Sequence, residues 1–326
     1  MVIGSVGEGR LFELITGWVR AQGRPRALIR GIGDDGATVR TTSRTLITTD
    51  AFVANVHFRP GWGRPWQFGW KALAANVSDV AAGGGVPLAA VVSLALPTDL
   101  PVKWLEEFYA GMIACSRTYA MAIAGGNITR ASEFSSHITL IGRAPLRMIG
   151  RSGAQPGDLL AVTGSLGGSA AGLAALRRGW LDAPAKEAIF RHLVPRPRVA
   201  AGKALGQFAS AQVDISDGLV RDAGHLSAAS GVRIAIVPGG IPIHPAAAPL
   251  AGRLRMRSAE LALGSGEEYE LLATIPRRQW KAAFRAVSRA GIPLTVIGEC
   301  RRGRGVEIVG GLRVAGYDHF SVARRA

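Results

Sequence analysis

Six aspartates, Asp34, Asp35, Asp50, Asp79, Asp214 and Asp217, fall in short Gly-, Ser- or Thr-rich strings beside apolar segments. Carboxylates gathered at strand ends and loops, with hydroxyls beside them, suit a hard divalent cation. In Gly31-Ile32-Gly33-Asp34-Asp35 the glycines allow a tight turn. The adjacent carboxylates diverge, so one can bind a cation while the other caps the turn. Thr48-Thr49-Asp50 sets a carboxylate and two hydroxyls at a strand end, and His57 follows. A lone histidine is more often structural than catalytic. Asn76 and Asp79 share one face of an expected helix. A carboxylate inside an apolar helix needs a partner, a cation or an arginine. In Asp214-Ile215-Ser216-Asp217-Gly218, Asp214 and Ser216 project to one side of a strand, and Asp217 begins the next helix. An ordinary helix cap explains that string equally well. Gly266-Glu267-Glu268-Tyr269-Glu270 has a similar loop-to-strand setting, and alone it reads as a solvated acidic turn.

Other chemistries lack their motifs. The chain has no Gly-x-x-x-x-Gly-Lys-[Ser/Thr] string, no His-x-x-x-His pair, no Cys-x-x-Cys and no Gly-x-Ser-x-Gly elbow. What remains is a magnesium-dependent site of dispersed aspartates, suited to nucleotide phosphates.

The elements that position these residues suggest two domains. A chain of 326 residues with 48% hydrophobic side chains is ample for two cores. No apolar run approaches the roughly 18 residues of a membrane span, and the start lacks the pattern of a secretory leader. Cys115 and Cys300 cannot build a disulfide framework, so a reducing, cytoplasmic setting is expected. The net charge is +16, and all but five of the 39 basic residues are arginine. They are scattered, and the densest cluster, Arg301-Arg302-Gly303-Arg304, reads as a hairpin turn; neither a nucleic-acid nor a membrane partner is expected.

Helices are expected at 10–20, 66–82, 102–117, 167–177, 199–208, 218–230 and 278–290. Strands are expected at 45–50, 88–96, 137–144, 158–163, 212–215, 233–237, 270–275 and 294–298. A short buried strand at 121–124 should run into a turn at Gly125-Gly126-Asn127. Gly, Ser, Gln and Pro cluster between Arg147 and Gly157, which marks a domain boundary. Two domains of α/β (α+β) class follow, each with helices packed on a sheet.

Taken in order, the strings resemble one family. GIGDD at 31–35, TTD at 48–50, HF at 57–58, KALAANVSDVAA at 71–82 and GGNITR at 125–130 are the first. RSGAQPGD at 151–158, VTGSLGGSAAGL at 162–173, DISDGL at 214–219, GEEYELL at 266–272 and GYDHF at 316–320 complete the set. The chain is similar to the bacterial thiamine-monophosphate kinases, whose superfamily includes aminoimidazole ribonucleotide synthetase, selenophosphate synthetase and a hydrogenase maturation factor. That resemblance implies a two-domain PurM-like fold, each domain a mixed sheet with packed helices. Residues 1–147 would be the ATP- and magnesium-binding, dimer-forming domain and 148–326 the carboxy-terminal domain.

The implied activity is transfer of the ATP γ-phosphoryl to thiamine monophosphate, with two or more Mg2+ ions, in a homodimer. Divergent ATP-dependent chemistry on another phosphorylated or carboxylated metabolite, or nucleotide binding without catalysis, are the alternatives. The implied metal ligands are Asp35, Thr48, Thr49, Asp50, Asp79, Asn127, Asp214 and Asp217, with Asp34 beside them. A turn at Gly126 and Asn127, with Arg151 and Ser216, would face ATP; His57, Glu267 and Tyr317 would contact the thiamine side. No residue is implied as a general base, because the acceptor phosphate, with a second pKa of about 6, is already largely ionised. The chain departs from the family pattern at Asn127, Gly168 and Glu268, each standing where the family has Asp.

Overall fold

The computed structural model describes residues 1–23, 25–32, 37–41, 44–147, 149–312 and 314. The chain divides into two compact units, Met1–Met148 and Ile149–Ala326.

The first unit runs α1 (Glu8–Arg20), β1 (Leu28–Arg30), β2 (Thr38–Val39), β3 (Thr45–Val53), α2 (Pro65–Ala82), β4 (Val86–Leu96), α3 (Val102–Thr118), β5 (Ala122–Arg130) and β6 (Ser135–Arg143). Four of its strands form a mixed sheet in the order β3-β6-β4-β5. Pro65 opens α2, and the Gln67 side chain accepts the Arg64 N–H at 2.8 Å, so the first turn is capped. Helix α2 is buried nearly all round, including Phe68, Leu73, Val77 and Val80. It meets α3 through two glycines. A Cβ on Gly69 would lie 1.8 Å from the Phe108 carbonyl oxygen, and one on Gly111 1.9 Å from that of Trp66. No side chain fits there, so the two helix backbones touch.

Strand β3 is longer than expected and shows a two-residue period. Thr48, Asp50 and Phe52 are more buried, while Thr49 and Ala51 are exposed. Residues 121–130 depart from the expected turn. Strand β5 continues through Gly125-Gly126-Asn127, with Gly126 opposite Val92 and Asn127 opposite Ser93. A Cβ on Gly126 would stand 1.9 Å from the Val92 carbonyl oxygen, so the glycines serve close strand approach.

The second unit runs β7 (Leu159–Thr163), α4 (Gly168–Arg178), α5 (Ala183–Leu193), α6 (Val199–Leu205), β8 (Ala211–Asp214), α7 (Leu219–Ser230), β9 (Arg233–Ile236), α8 (Ala247–Arg253), α9 (Ser258–Leu263), β10 (Leu271–Ile275), α10 (Trp280–Arg289), β11 (Leu294–Arg301) and β12 (Gly305–Ile308). Its mixed sheet has the order β12-β9-β11-β7-β10-β8. One core lies between this sheet and α7, built on Leu160, Val162, Val213, Leu226, Ile234, Leu272 and Ile297. A second, alanine-rich core joins α4, α5 and α8.

One helix here goes unforeseen and one expectation fails. Helix α5 has no signal in the sequence pattern because it buries Ala185, Ala188, His192 and Leu193, with no stripe of large apolar residues. Arg301 to Arg304 is no hairpin turn: β11 and β12 both pair with β9 and flank it, so the arginines cross the end of β9.

Gly111→Val should force α2 and α3 apart. The expected cost is about 3 kcal/mol or more, read as a lowered urea midpoint; an unchanged midpoint would contradict the close contact.

Candidate active site

In the first unit, β3 and α2 hold the central residues. The two-residue period turns Thr48 and Asp50 to the same side. Asp79, near the end of α2, accepts a short hydrogen bond from the Thr48 hydroxyl. The Asp50 carboxyl is pushed up to about 7, first by burial and then by the charge of Asp79. One turn back, Asn76 is fully buried; its Nδ2 donates to the Ala72 carbonyl at 3.1 Å. Its Oδ1 has no hydrogen-bond partner among the described residues. The Asp50 carboxylate and Thr48 hydroxyl of β3, with the Asp79 carboxylate and the buried Asn76 amide of α2, offer an all-oxygen donor set that fits a hard cation. Mutual repulsion between Asp50 and Asp79 is the physical sign of that fit, because a cation would relieve it.

The structure does not bring every expected ligand to this point. Thr49 lies on the opposite face of β3, where its hydroxyl pairs with that of Thr139 at 3.2 Å. Asn127 stands in the register row of Ala51, His137 and Ser93, whereas Asp50 stands in the row of Ile138, Val92 and Gly126. Asp34, Asp35 and Tyr317 lie outside the described residues.

His57 sits in the turn after β3. Its Nδ1 accepts the Val53 N–H at 3.1 Å, so in the neutral ring the proton is on Nε2. The ring stacks on Phe52 at 6.0 Å, and Phe52 stacks on Phe58 at 4.8 Å. Phe58 in turn packs on Phe68 of α2 at 4.4 Å. This aromatic chain fixes the turn against the helix that carries Asp79.

In the second unit, the loop from Ser216 to Gly218 is organised by a residue that sequence reasoning missed. Asp222, in the first turn of α7, accepts the N–H groups of Ser216, Asp217 and Gly218, each at 3.1 Å. Its carboxyl is pushed up to about 7, mainly by burial and then by the Asp217 charge, against the pull of those three donors. Asp217, Asp222 and His225 have ligand atoms within 4.8 Å of one another. Asp217 also pairs with Arg221 at 3.3 Å. The charge of Arg151 reaches His225, whose pKa is lowered first by burial and then by that arginine. Arg151, Ser216 and Asp217 thus share one neighbourhood. Asp214 ends β8, buried, opposite Leu271.

The acidic string from Gly266 to Glu270 is the reverse of a solvated turn. Glu268 and Glu270 are 0% and 1% exposed. Glu268 Oε1 accepts the Gly167 and Ser169 N–H groups at 2.7 and 3.1 Å, which caps the start of α4. Burial pushes the Glu268 pKa up, and Arg191 opposes it. Arg191 reaches Glu268 Oε2 at 3.4 Å and Glu270 Oε1 at 3.1 Å. Arg198 holds both Glu270 oxygens, with Nε at 2.7 Å from Oε2. The Glu267 N–H donates to the Ser216 carbonyl at 2.7 Å, so the two loops are joined by backbone. Glu267 has φ of 53°, and its carboxylate lies 3.7 Å from His192 Nε2. Partners some 70 to 100 residues apart leave no mark on local spacing, so Glu268, Glu270, Arg191 and Arg198 could not be joined from sequence.

Two family profiles match the chain. AIR synthase related protein, N-terminal domain, covers residues 33–144, and the corresponding C-terminal domain covers residues 155–311. The first spans Thr48, Asp50 and Asp79; the second spans Ser216, Asp217, Asp222 and Glu267. Among curated proteins, the thiamine-monophosphate kinase of Aquifex aeolicus (strain VF5) is 38% identical over 294 residues, which is 89% of this chain and 92% of the relative. This chain belongs to the thiamine-monophosphate kinase family. A thiamine-monophosphate kinase from Stenotrophomonas maltophilia K279a superposes with a TM-score of 0.84 at 34% identity, covering 91% of this chain and 96% of that one. A further structure, AaThiL complexed with AMPPCP and TMP, covers 98% of this chain and 99% of its own, with TM-score 0.79 and 36% identity. In this kinase-family member the carboxylates are therefore set by a shared fold, and the buried Glu268–Glu270 network braces the loop that carries Glu267.

Glu268→Ala should strip the cap from α4 and leave Arg191 short of a partner. The expected loss is about 3–5 kcal/mol, seen as a clear drop in melting temperature. A melting temperature equal to that of the parent would show that the network does not brace the loop.

Proposed function

We propose that the chain is an ATP- and magnesium-dependent thiamine-monophosphate kinase. The observation that carries this reading is the pair of facing carboxylates, Asp50 and Asp79, beside the Thr48 hydroxyl, in a chain of this family. Asp50, Asp79 and Thr48 would hold Mg2+, and Asp214 and Asp217 would hold further ions in the second unit. Bound magnesium supplies charge neutralisation for the phosphate oxygens. Arg151 and Ser216 would contact ATP, in keeping with the positive charge that Arg151 brings to the neighbourhood of the Ser216 loop. His57 would offer its Nε2–H to the acceptor, and Glu267 would meet the thiamine side.

The chemistry asks little of the side chains beyond placement. The acceptor is a phosphate monoester with a second pKa of about 6, so its oxygen is already an anion near neutral pH. That oxygen attacks the γ-phosphorus, the bond to the β-phosphate oxygen breaks, and ADP leaves. No general base is needed, only in-line positioning and charge neutralisation.

We also propose that the chain works in the cytoplasm as a homodimer formed through the first unit. One face of its sheet supports this. Ile47 is 69% exposed and Val91 41% exposed. The rows Ile47–Ile141 and Thr49–Thr139–Val91 place them on the face away from Asp50. Apolar surface of that kind is typical of an interface.

The purified chain with magnesium and ATP should convert thiamine monophosphate to thiamine diphosphate with one ADP released per turnover. Asp50→Asn and Asp79→Asn should each lower kcat/KM by about 100-fold or more. ADP release without thiamine diphosphate would contradict the acceptor, and no turnover by the parent would contradict the activity. Val91→Glu should shift the sedimentation coefficient from dimer to monomer; an unchanged value would remove this face from the interface.

A further inference from the structure

A cavity of about 430 Å³ lies wholly within the second unit, and Phe190, Arg191, Arg196, Arg198, His244 and Glu270 are among its walls. None of these residues belongs to the metal, nucleotide or substrate sets above. Its volume is that of a small-molecule site.

The charges in its wall are unequally committed. Arg191 and Arg198 are spent on Glu268 and Glu270. Arg196 is exposed and has no ion pair among the described residues. It is therefore the free positive charge of the cavity, and the exposed Glu187 is a wall carboxylate that likewise has no ion pair among the described residues. His244 Nδ1 accepts the Ala246 N–H at 3.3 Å, which leaves the ring proton on Nε2 as a donor. Burial and then Arg191 lower the His244 pKa, against the opposing charges of Glu187 and Glu270. Phe190 is 51% exposed, an aromatic surface that the protein itself leaves half bare, and Val194 and Pro293 extend the apolar wall. Gly168 contributes by what it lacks: a Cβ there would lie 2.9 Å from both Arg191 Cγ and His244 Cγ. The absent side chain gives those two walls their place, at a position where the family pattern has Asp.

We propose that this cavity binds a small aromatic anion, a planar ring carrying one carboxylate or phosphate group. The anionic group pairs with Arg196 and accepts from His244 Nε2–H, and the ring lies against Phe190. The site is separate from the phosphotransfer reading and stands without it.

Calorimetric titration of the full chain tests this with three probes: benzoate, phenyl phosphate and the neutral benzyl alcohol. Saturable binding of either anion at millimolar concentration or below is expected, with none for benzyl alcohol; the tighter anion identifies the head group. Arg196→Glu should weaken binding by about 10-fold or more, and Phe190→Ala should weaken it as well. Both side chains are exposed, so melting temperatures should stay at the parent value. Gly168→Ala should also lower affinity, by pushing Arg191 and His244. Saturating AMPPCP should leave probe affinity unchanged. Absence of saturable binding by both anions up to about 10 mM, an affinity insensitive to Arg196→Glu, or displacement by AMPPCP would each overturn the proposal.

Discussion

Asp50 and Asp79 are like charges held side by side, and much of the first unit exists to hold them so. Burial, and then the charge of Asp79, raises the Asp50 pKa, so the arrangement costs free energy when no cation is present. Something rigid must oppose it. Helix α2 cannot retreat, because Gly69 and Gly111 bring its backbone directly against α3. Strand β3 cannot turn Asp50 away without turning Phe52 out of the aromatic stack that reaches Phe68 on the same helix. The Thr48 hydroxyl then ties the strand to Asp79. Glycine contact, strand period and aromatic packing thus converge on one pair of carboxylates.

The second unit solves a different problem with the same means. Its loops are shaped by buried carboxylates that satisfy backbone donors. Asp222 gathers three N–H groups of the Ser216–Gly218 loop, and Glu268 gathers two at the start of α4. An unpaired buried carboxylate would be costly. Arg191 and Arg198 offset that cost, and they carry the bracing from α5 and the segment after it to the Glu267 loop. Rigid loops of this kind suit a reaction that depends on placement more than on proton transfer.

The features legible in the sequence are the local ones. The period of β3 and the spacing within α2 are enough to make Asp50 and Asp79 candidates. The ordered strings from 31 to 320 point to the family. Where local rules mislead, a long-range contact has decided. Gly125-Gly126-Asn127 has the composition of a turn, yet pairing with β4 keeps it in a strand. Glu268 and Glu270 look like a solvated surface, yet Arg191, Arg198 and the start of α4 bury them. The arginines at 301–304 look like a hairpin, yet β9 lies between the strands they join. Asp222 belongs to none of the strings that stand out in the sequence, and only the path of the Ser216 loop shows its role. The large positive charge, the most conspicuous feature of the composition, does not decide the function; a few scarce acids do.

The most direct measurement is anomalous diffraction from crystals grown with Mn2+ in place of magnesium and with the ATP analogue AMPPCP. An anomalous peak is expected within coordination distance of Asp50 and Asp79, with phosphate oxygens completing the shell. Those two carboxylates without a metal, or closed by a protein cation in the nucleotide complex, would contradict a cation site built on this pair.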